Sequence, residues 1–321
     1  MQRRHLLRAA SLAAVVPGFA LAQTYPAKPI RYIVPVAAGG GNDMIARVVS
    51  ERWGKALGQS FVVDNIGGGG GVVASQAVAR AAPDGYTLMQ GYVATHGTNP
   101  ATRKVPYDAI KDFTPIGMIG ATPNVLAVNA GLPIRSVAEF VDYLKKTAGV
   151  NYGSAGQGSL THLTMELFKI ETGTKITHVP YRGIAPAIND VIGGQTQAMF
   201  PGLAAALPHI RSGRLRPLAV TGGKRNPLLK DVPTLEESGL KGFDAMQWYG
   251  SVGPANLPAD IVRQLNESQV SVLRQPDLRE KLAGEAVEPW PMTPAEFGEY
   301  IKADIARWTK VAKANNIHLD E

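Results

Sequence analysis

The sequence has no cysteine. That excludes disulfides, thiol catalysis, thiolate metal sites and a lipid-modified cysteine at the N-terminus. It has little charge, 18% of 321 residues, and no long run of one sign, so an acidic or basic tail is not expected. Beyond the first residues no apolar stretch approaches the roughly 20 residues a spanning helix needs, so any membrane connection must run through a partner. The six histidines, His5, His96, His162, His178, His209 and His318, show no H-E-x-x-H and no tight metal spacing. There is no G-x-S-x-G elbow and no Walker lysine loop. No basic stripe interleaved with aromatics is present, which argues against nucleic acid.

The N-terminus reads as an address. MQRRHLLRAASLAAVVPGFALA is basic, then apolar, then small, and Ala20-Leu21-Ala22 fits an A-x-A cleavage site. Residues 1–22 are expected to be an export signal cleaved near Ala22. Arg3-Arg4 also suits the twin-arginine route, so Sec and twin-arginine export both stay open. The segment holds Arg3, Arg4 and Arg8 and no acid, which leaves 30 basic and 26 acidic side chains, a mild net +4, in the remainder. The expected location is the periplasm.

The mature chain alternates apolar strands with amphipathic helices, which predicts an α/β protein with largely parallel sheets. Ile30–Ala37, Ser60–Ile66 and Thr87–Tyr92 read as strands, with helices starting near Asn42 and after Gly67–Gly71. Around Asn124 a second unit begins, with NVLAVN, NYGS, ITHVPY, TQAMF and RLRPLAVTG as strands. The Trp248–Gly253 region is a second crossing, and the C-terminus is mostly helical. This organisation predicts one lobe from 23–124 plus 249–321 and another from 125–248, with a cleft between them.

Two loops carry the chemistry. Pro35–Asp43 (PVAAGGGND) and Ser154–Ser159 (SAGQGS) each follow a strand and precede a helix. Helix N-termini present unpaired N–H groups and partial positive charge, so they bind anions without a basic side chain. Glycine lets the backbone approach a ligand, and Ser154 and Ser159 add hydroxyls. The plainer alternative is that the glycines make tight turns and Ser159 only caps its helix. The two readings stand level. His96, at the end of the third strand, and His162, one turn into the helix after SAGQGS, are candidates to reach the cleft, against the commoner role of satisfying local contacts. Gly69-Gly70-Gly71-Val72-Val73-Ala74 matches a dinucleotide fingerprint, but the acid wanted about 20 positions later is missing. Met89, Gln90 and Gly91 stand there, so close packing of a small-residue helix is preferred. A dinucleotide-dependent oxidoreductase and a serine hydrolase using Ser154 or Ser159 with His162 are the alternatives. The hydrolase lacks an acid placed to orient the histidine.

Read together, YPAKPIRYIVPVAAGGGND, VVDNIGGGGGVVASQAVARAAPDGYTL, YGSAGQGSLTHL, HVPYRGIAPAINDVIGGQ, LPHIRSGRLRPLAVTGGKR, DVPTLEESG and GPANLPADIV resemble, in order, the tripartite tricarboxylate transporter receptor family, also called Bug proteins. The resemblance covers essentially the whole mature chain. It implies a two-lobed, type II-like Venus-flytrap binding protein with two interlobe crossovers, no cofactor and no catalysis. A small carboxylic acid would lie in the cleft. Carried over by position, it places Ala37, Ala38, Gly39 and Gly40 in the first ligand loop and Ser154, Ala155, Gly156, Gly158 and Ser159 in the second. Tyr92, Thr95 and His96 match a variable loop, and Met199, Phe200, Pro201 and Gly202 match a specificity loop. Many relatives carry an acid or amide after the aromatic, where this chain has Pro201-Gly202. A ligand without an amino group, a di- or tricarboxylate or an aromatic acid, is therefore expected. A tripartite membrane permease or a sensor ectodomain is the implied partner, and a monomer the implied state.

Overall fold

The computed structural model describes residues 25–319; the expected export signal lies outside the described residues. In chain order the regular elements begin with β1 (Ile30–Val34), α1 (Gly41–Leu57), β2 (Phe61–Asn65), α2 (Val72–Ala79), β3 (Thr87–Tyr92), α3 (Asn99–Thr102) and β4 (Phe113–Pro123). They continue with β5 (Val125–Asn129), α4 (Val137–Lys146), β6 (Asn151–Ser154), α5 (Leu160–Thr172), β7 (Thr177–Pro180), α6 (Ile184–Ile192), β8 (Ala198–Met199), α7 (Leu203–Arg211) and β9 (Leu215–Val220). The last are β10 (Met246–Pro254), α8 (Ala259–Leu273), α9 (Pro276–Gly284), β11 (Glu288–Pro289) and α10 (Pro294–Ala314).

The strands form two sheets, β11-β4-β10-β3-β1-β2 and β7-β6-β8-β5-β9. In the first, β1 runs parallel to β2 and β3 while β10 runs against β3 and β4. In the second, β6 is parallel to β7 and β8, and β5 runs against β8 and β9. The short β11 also runs against β4. The reversal of β10 in one sheet and of β5 in the other is what two crossings between units produce. The chain passes from β4 to β5 through Asn124 and returns into β10. The pairing of β10 with β4 reaches back to Met246, which faces Pro123, three residues before the return expected at 249. The two crossings thus run side by side. Thr221 ties them: its Oγ1 accepts from the Asn124 N–H (2.9 Å) and donates to the Ala245 carbonyl (2.7 Å).

Local sequence explains the helices. In α4, Ser136 accepts from the Glu139 N–H, and Val137, Phe140 and Leu144 fall on one buried stripe. In α10, Thr293 and Glu296 form a reciprocal capping box with Pro294 in the first turn. The first sheet is cored on one face by Tyr32, Trp53 and Phe61, with Tyr32 edge-on to Trp53 and Phe61 stacked on it.

β4 and α9 were absent from the strand and helix reading of the sequence. β4 contains Pro115, Pro123, Gly117 and Gly120, all poor strand formers. Its outer carbonyls are nevertheless satisfied. Asn266 Nδ2 donates to the Ile116 carbonyl (2.8 Å), and Gln269 Nε2 donates to those of Gly117 and Met118 (3.1 Å each). The glycines make room for this cover: a Cβ on Gly117 would stand 2.7 Å from Asn266 Nδ2, and one on Gly120 2.5 Å from the Glu288 carbonyl oxygen.

Candidate functional site

The parallel strands set where the helices start. β1 and β2 lead into α1 and α2, β3 leads through the turn at 94–98 into α3, and β6, β7 and β8 lead into α5, α6 and α7. Each set of helix starts therefore gathers at the carboxyl edge of its sheet, where open α/β sheets bind ligands.

At the first edge, residues 37–41 are exposed. Gly39 has φ 91° and Gly40 caps α1 in an extended conformation. Met44 N–H bonds to the Gly40 carbonyl (3.0 Å), so the earlier N–H groups of the first turn have no partner within the helix. Gly39 is an exception among the expected donors, because its N–H already bonds to Asp43 Oδ2 (2.9 Å). Asp43 also accepts from Arg47 Nε (3.0 Å) and Asn65 Nδ2 (2.9 Å). Burial works against its charge, but these hydrogen bonds outweigh it and hold the carboxyl below the usual range.

The glycine run packs against this loop. Gly68 to Gly71 all have positive φ, and a Cβ on Gly71 would sit 2.5 Å from Thr95 Cγ2. The run is thus explained by backbone conformation and close approach. A Cβ on Gly67 would lie 3.4 Å from Ala37 N. Asn99 Nδ2 donates to the Gly70 carbonyl (2.9 Å), and the half-buried Tyr92 has its hydroxyl 3.5 Å from the same oxygen.

Thr95 and His96 do not reach this surface. Both are fully buried. Thr95 Oγ1 bonds back to Tyr92 and lies 2.9 Å from His96 Nδ1. The His96 ring meets Phe113 edge-on at 4.6 Å, and burial pushes its pKa down to about 3. Its expected ligand role is corrected here. The turn at 94–98 is wound so that the imidazole enters the core beneath β3.

At the second edge the serines serve the loop itself. Ser154 is fully buried; its Oγ accepts from the Gly156 N–H (3.1 Å) and lies 2.6 Å from His178 Nε2. Ser159 caps α5, accepting from the His162 N–H (3.3 Å) and donating to the Gly156 carbonyl (2.6 Å). Ala155 N–H is taken by Thr161 Oγ1 (2.9 Å) and Gly158 N–H by His162 Nδ1 (3.0 Å). His162 is buried and stacks flat on His178 at 3.8 Å. Burial drives both imidazoles far below the ordinary histidine range. Beneath them Glu166 accepts from Tyr152 Oη (2.5 Å) and Lys169 Nζ (2.6 Å). His162 is therefore a support for the loop, not a wall of the cleft. No nucleophile emerges either, since His162 accepts from a backbone N–H and the Ser154 hydroxyl is sealed from solvent. The backbone around Gly156 and Gly158, at φ 127° and 70°, and the first turn of α5 remain to meet a ligand.

Two further helix starts join this edge. α6 begins after Tyr181-Arg182-Gly183, with Gly183 as cap at φ 110°, and Tyr181 N–H bonds to the Ser154 carbonyl (3.1 Å). Residue reading had placed no site there; the strand, glycine and helix succession of HVPYRGI was the available signal. α7 begins at Gly202. Phe200 is fully buried, facing Phe243 (6.2 Å) and Phe168 (5.9 Å), and the Pro201 carbonyl accepts from Val125 N–H (2.9 Å). Phe200 and Pro201 are thus core and pairing residues, and only Gly202 of that stretch belongs to the edge. α5, α6 and α7 carry no acid in their first turns. Three uncompensated positive helix ends converge here.

The edges meet. A Cβ on Gly158 would lie 3.1 Å from Thr102 Oγ1 and 2.6 Å from Leu319 Cδ1. Two grooves lie elsewhere, one of 640 Å³ along α1 and β2 past Arg47 and Lys55, another of 610 Å³ below the crossings at Met246 and Trp290. Neither is lined by the two loops. Among the described residues no cluster of three or more metal-ligating side chains occurs, and no helix is long and apolar enough to cross a membrane.

Comparisons with known proteins establish the family and the fold. The family model described as "Tripartite tricarboxylate transporter family receptor" matches residues 45–317. Protein BugT of Bordetella pertussis is 34% identical over 305 residues, covering 93% of this chain and 92% of that one. Among solved structures, R. palustris Rpa4515 with adipate is 37% identical with a TM-score of 0.80, covering 92% of this chain and all of the other. MatC (Rpa3494) from Rhodopseudomonas palustris with bound malate is 33% identical with a TM-score of 0.75, covering 89% and 99%. The expected two-lobed α/β fold is the one these structures share, and by family model, relatives and fold together the chain belongs to the tripartite tricarboxylate transporter receptor family of solute-binding proteins.

Proposed function

We propose that the chain is a periplasmic receptor that captures a small organic carboxylate between its two units and catalyses no reaction. The unit of residues 25–124 with 246–319 and the unit of 125–245 close over the ligand. The first turns of α1 and α5 supply the backbone N–H groups that are not already taken up within the loops at 37–40 and 154–159, with Tyr92 and Gly202 at the margin. The observation that carries this reading is the convergence of acid-free helix starts at the second edge, in contact through Gly158 with the first. Closure removes water and strengthens N–H to carboxylate hydrogen bonds.

Two relatives are solved with adipate and malate, both dicarboxylates, which supports the same class here. Pro201-Gly202 offers no carboxylate to a ligand ammonium, which favours a dicarboxylate or aromatic acid over an amino acid. The loaded receptor, a monomer, would then dock on a tripartite permease or a sensor ectodomain. Calorimetry with malate, adipate, citrate, terephthalate and glutamate tests the reading. Binding of one or more of the first four is expected, and tight binding of glutamate alone contradicts it.

A further inference from the structure

Arg103 sits at the seam between the units. It follows α3 in an extended conformation (φ −147°, ψ 160°), and its backbone bridges Leu319. The preceding residue, Thr102, is the one that Gly158 of the second ligand loop approaches. Its charge is felt at the hydroxyls of Tyr92 and Tyr107, where it opposes the effect of burial. Tyr92 in turn lies against Gly70 in the glycine run. Residue 103 therefore lies at the seam, next to the point where Gly158 of the second edge approaches Thr102 and Leu319.

Arg103 Nε is buried and has no hydrogen-bond partner, and no described carboxylate pairs with the side chain. Other arginines drawn into the protein are satisfied. Arg52 bonds to Asp277 (2.6 Å), Arg307 to Asp244 (2.9 Å), and Arg216 to the carbonyls of Ala130 and Ile134 (2.7 and 3.0 Å). A buried guanidinium N–H without an acceptor is rare and costly. Its fork geometry matches carboxylate and phosphate, and in a receptor for organic acids the carboxylate is the group that meets it. Lys104 and Arg182 are also near the edges, but both are exposed.

Resting on the receptor reading above, we propose that Arg103 receives the second carboxylate of a dicarboxylate ligand whose first is held at the helix starts. Arg103 then sets the preference for diacids over monoacids, and backbone groups supply the common anchor.

The test is calorimetry on the mature full chain with adipate against hexanoate and succinate against butyrate, each pair differing by one carboxylate. The expected result is that Arg103→Gln weakens the better-bound diacid roughly 10- to 100-fold, the range for loss of a charge-assisted hydrogen bond, and leaves the monoacid unchanged. Arg103→Lys should recover part of the loss, and Arg279→Gln, exposed on α9 away from both edges, should change neither. Melting curves of the variants establish that each is folded. Equal diacid affinity in wild type and Arg103→Gln, or equal loss of both acids, overturns this proposal alone. A wild-type chain that binds none of the four overturns the receptor reading together with it.

Discussion

The side chains that look most like ligand donors in the sequence, Ser154 and Ser159, are spent on shaping the backbone of their own loop. Ser154→Ala should leave the Gly156 N–H and His178 without their shared partner, costing about 1–2 kcal/mol in urea unfolding. It should also weaken ligand binding in calorimetry, although the hydroxyl is buried and engaged within the protein. Glycine positions separate conformation from space. Gly71→Ala meets both an unfavourable φ of 92° and a contact of 2.5 Å with Thr95, so a loss of about 2–3 kcal/mol is expected. Gly39→Ala has a similar φ but nothing within 4 Å, and should cost about 1 kcal/mol. At this scale the two loops were legible, because glycine and serine between a strand and a helix have a direct physical meaning. The orientations of His96, Phe200 and His162 were not. Whether a side chain faces a cleft or a core depends on turns wound by residues far apart in sequence, and Arg103 carries no local pattern at all.

In the proposed receptor the helix starts are the elements that bind, and their field can be altered without touching the loops. Ala185 is exposed in the first turn of α6. Ala185→Glu should stabilise the helix by about 0.3–1 kcal/mol through the macrodipole. The same carboxylate should weaken binding of an anionic ligand several-fold, so melting temperature and affinity move in opposite directions. If both rise, the helix ends do not bind the ligand. Strands and helices with clean periodicity were readable from the sequence. β4 was not, because its prolines and glycines signal a loop unless one knows that Asn266 and Gln269 of α8 cover its edge. That cover comes from about 150 residues away, beyond any local reading.

For the whole molecule, buried titratable groups set the pH response. His96, His162 and His178 all have pKa values pushed far below 6.5 by burial. The unfolded chain takes up protons near pH 6.5 and the folded chain does not, so stability falls as pH drops from about 6.5 toward 4. Asp304 works in the other direction. Burial raises it to about 6 while it accepts from Trp248 Nε1 (2.8 Å). Between pH 6 and 3.8 the folded state keeps a proton that the unfolded state has lost, so acidification gains on the order of 3 kcal/mol there. Three histidines outweigh one acid, and urea unfolding at pH 7 and pH 5 should show lower stability at pH 5. In Asp304→Asn the fall should be steeper. The division into two units was readable from alternating strands and helices. The side-by-side crossings pinned by Thr221 were not, since they depend on β10 returning after Ala245 alongside β4, a strand that the sequence conceals.

The most direct measurement is a crystal structure of the chain with the dicarboxylate that binds best in calorimetry. One carboxylate should lie within about 2.7–3.2 Å of backbone nitrogens in the first turns of α1 and α5, with no lysine or histidine side chain bonded to that same group. A ligand whose carboxylates are all held by side chains, or one bound in the groove along α1 and β2, would contradict the account.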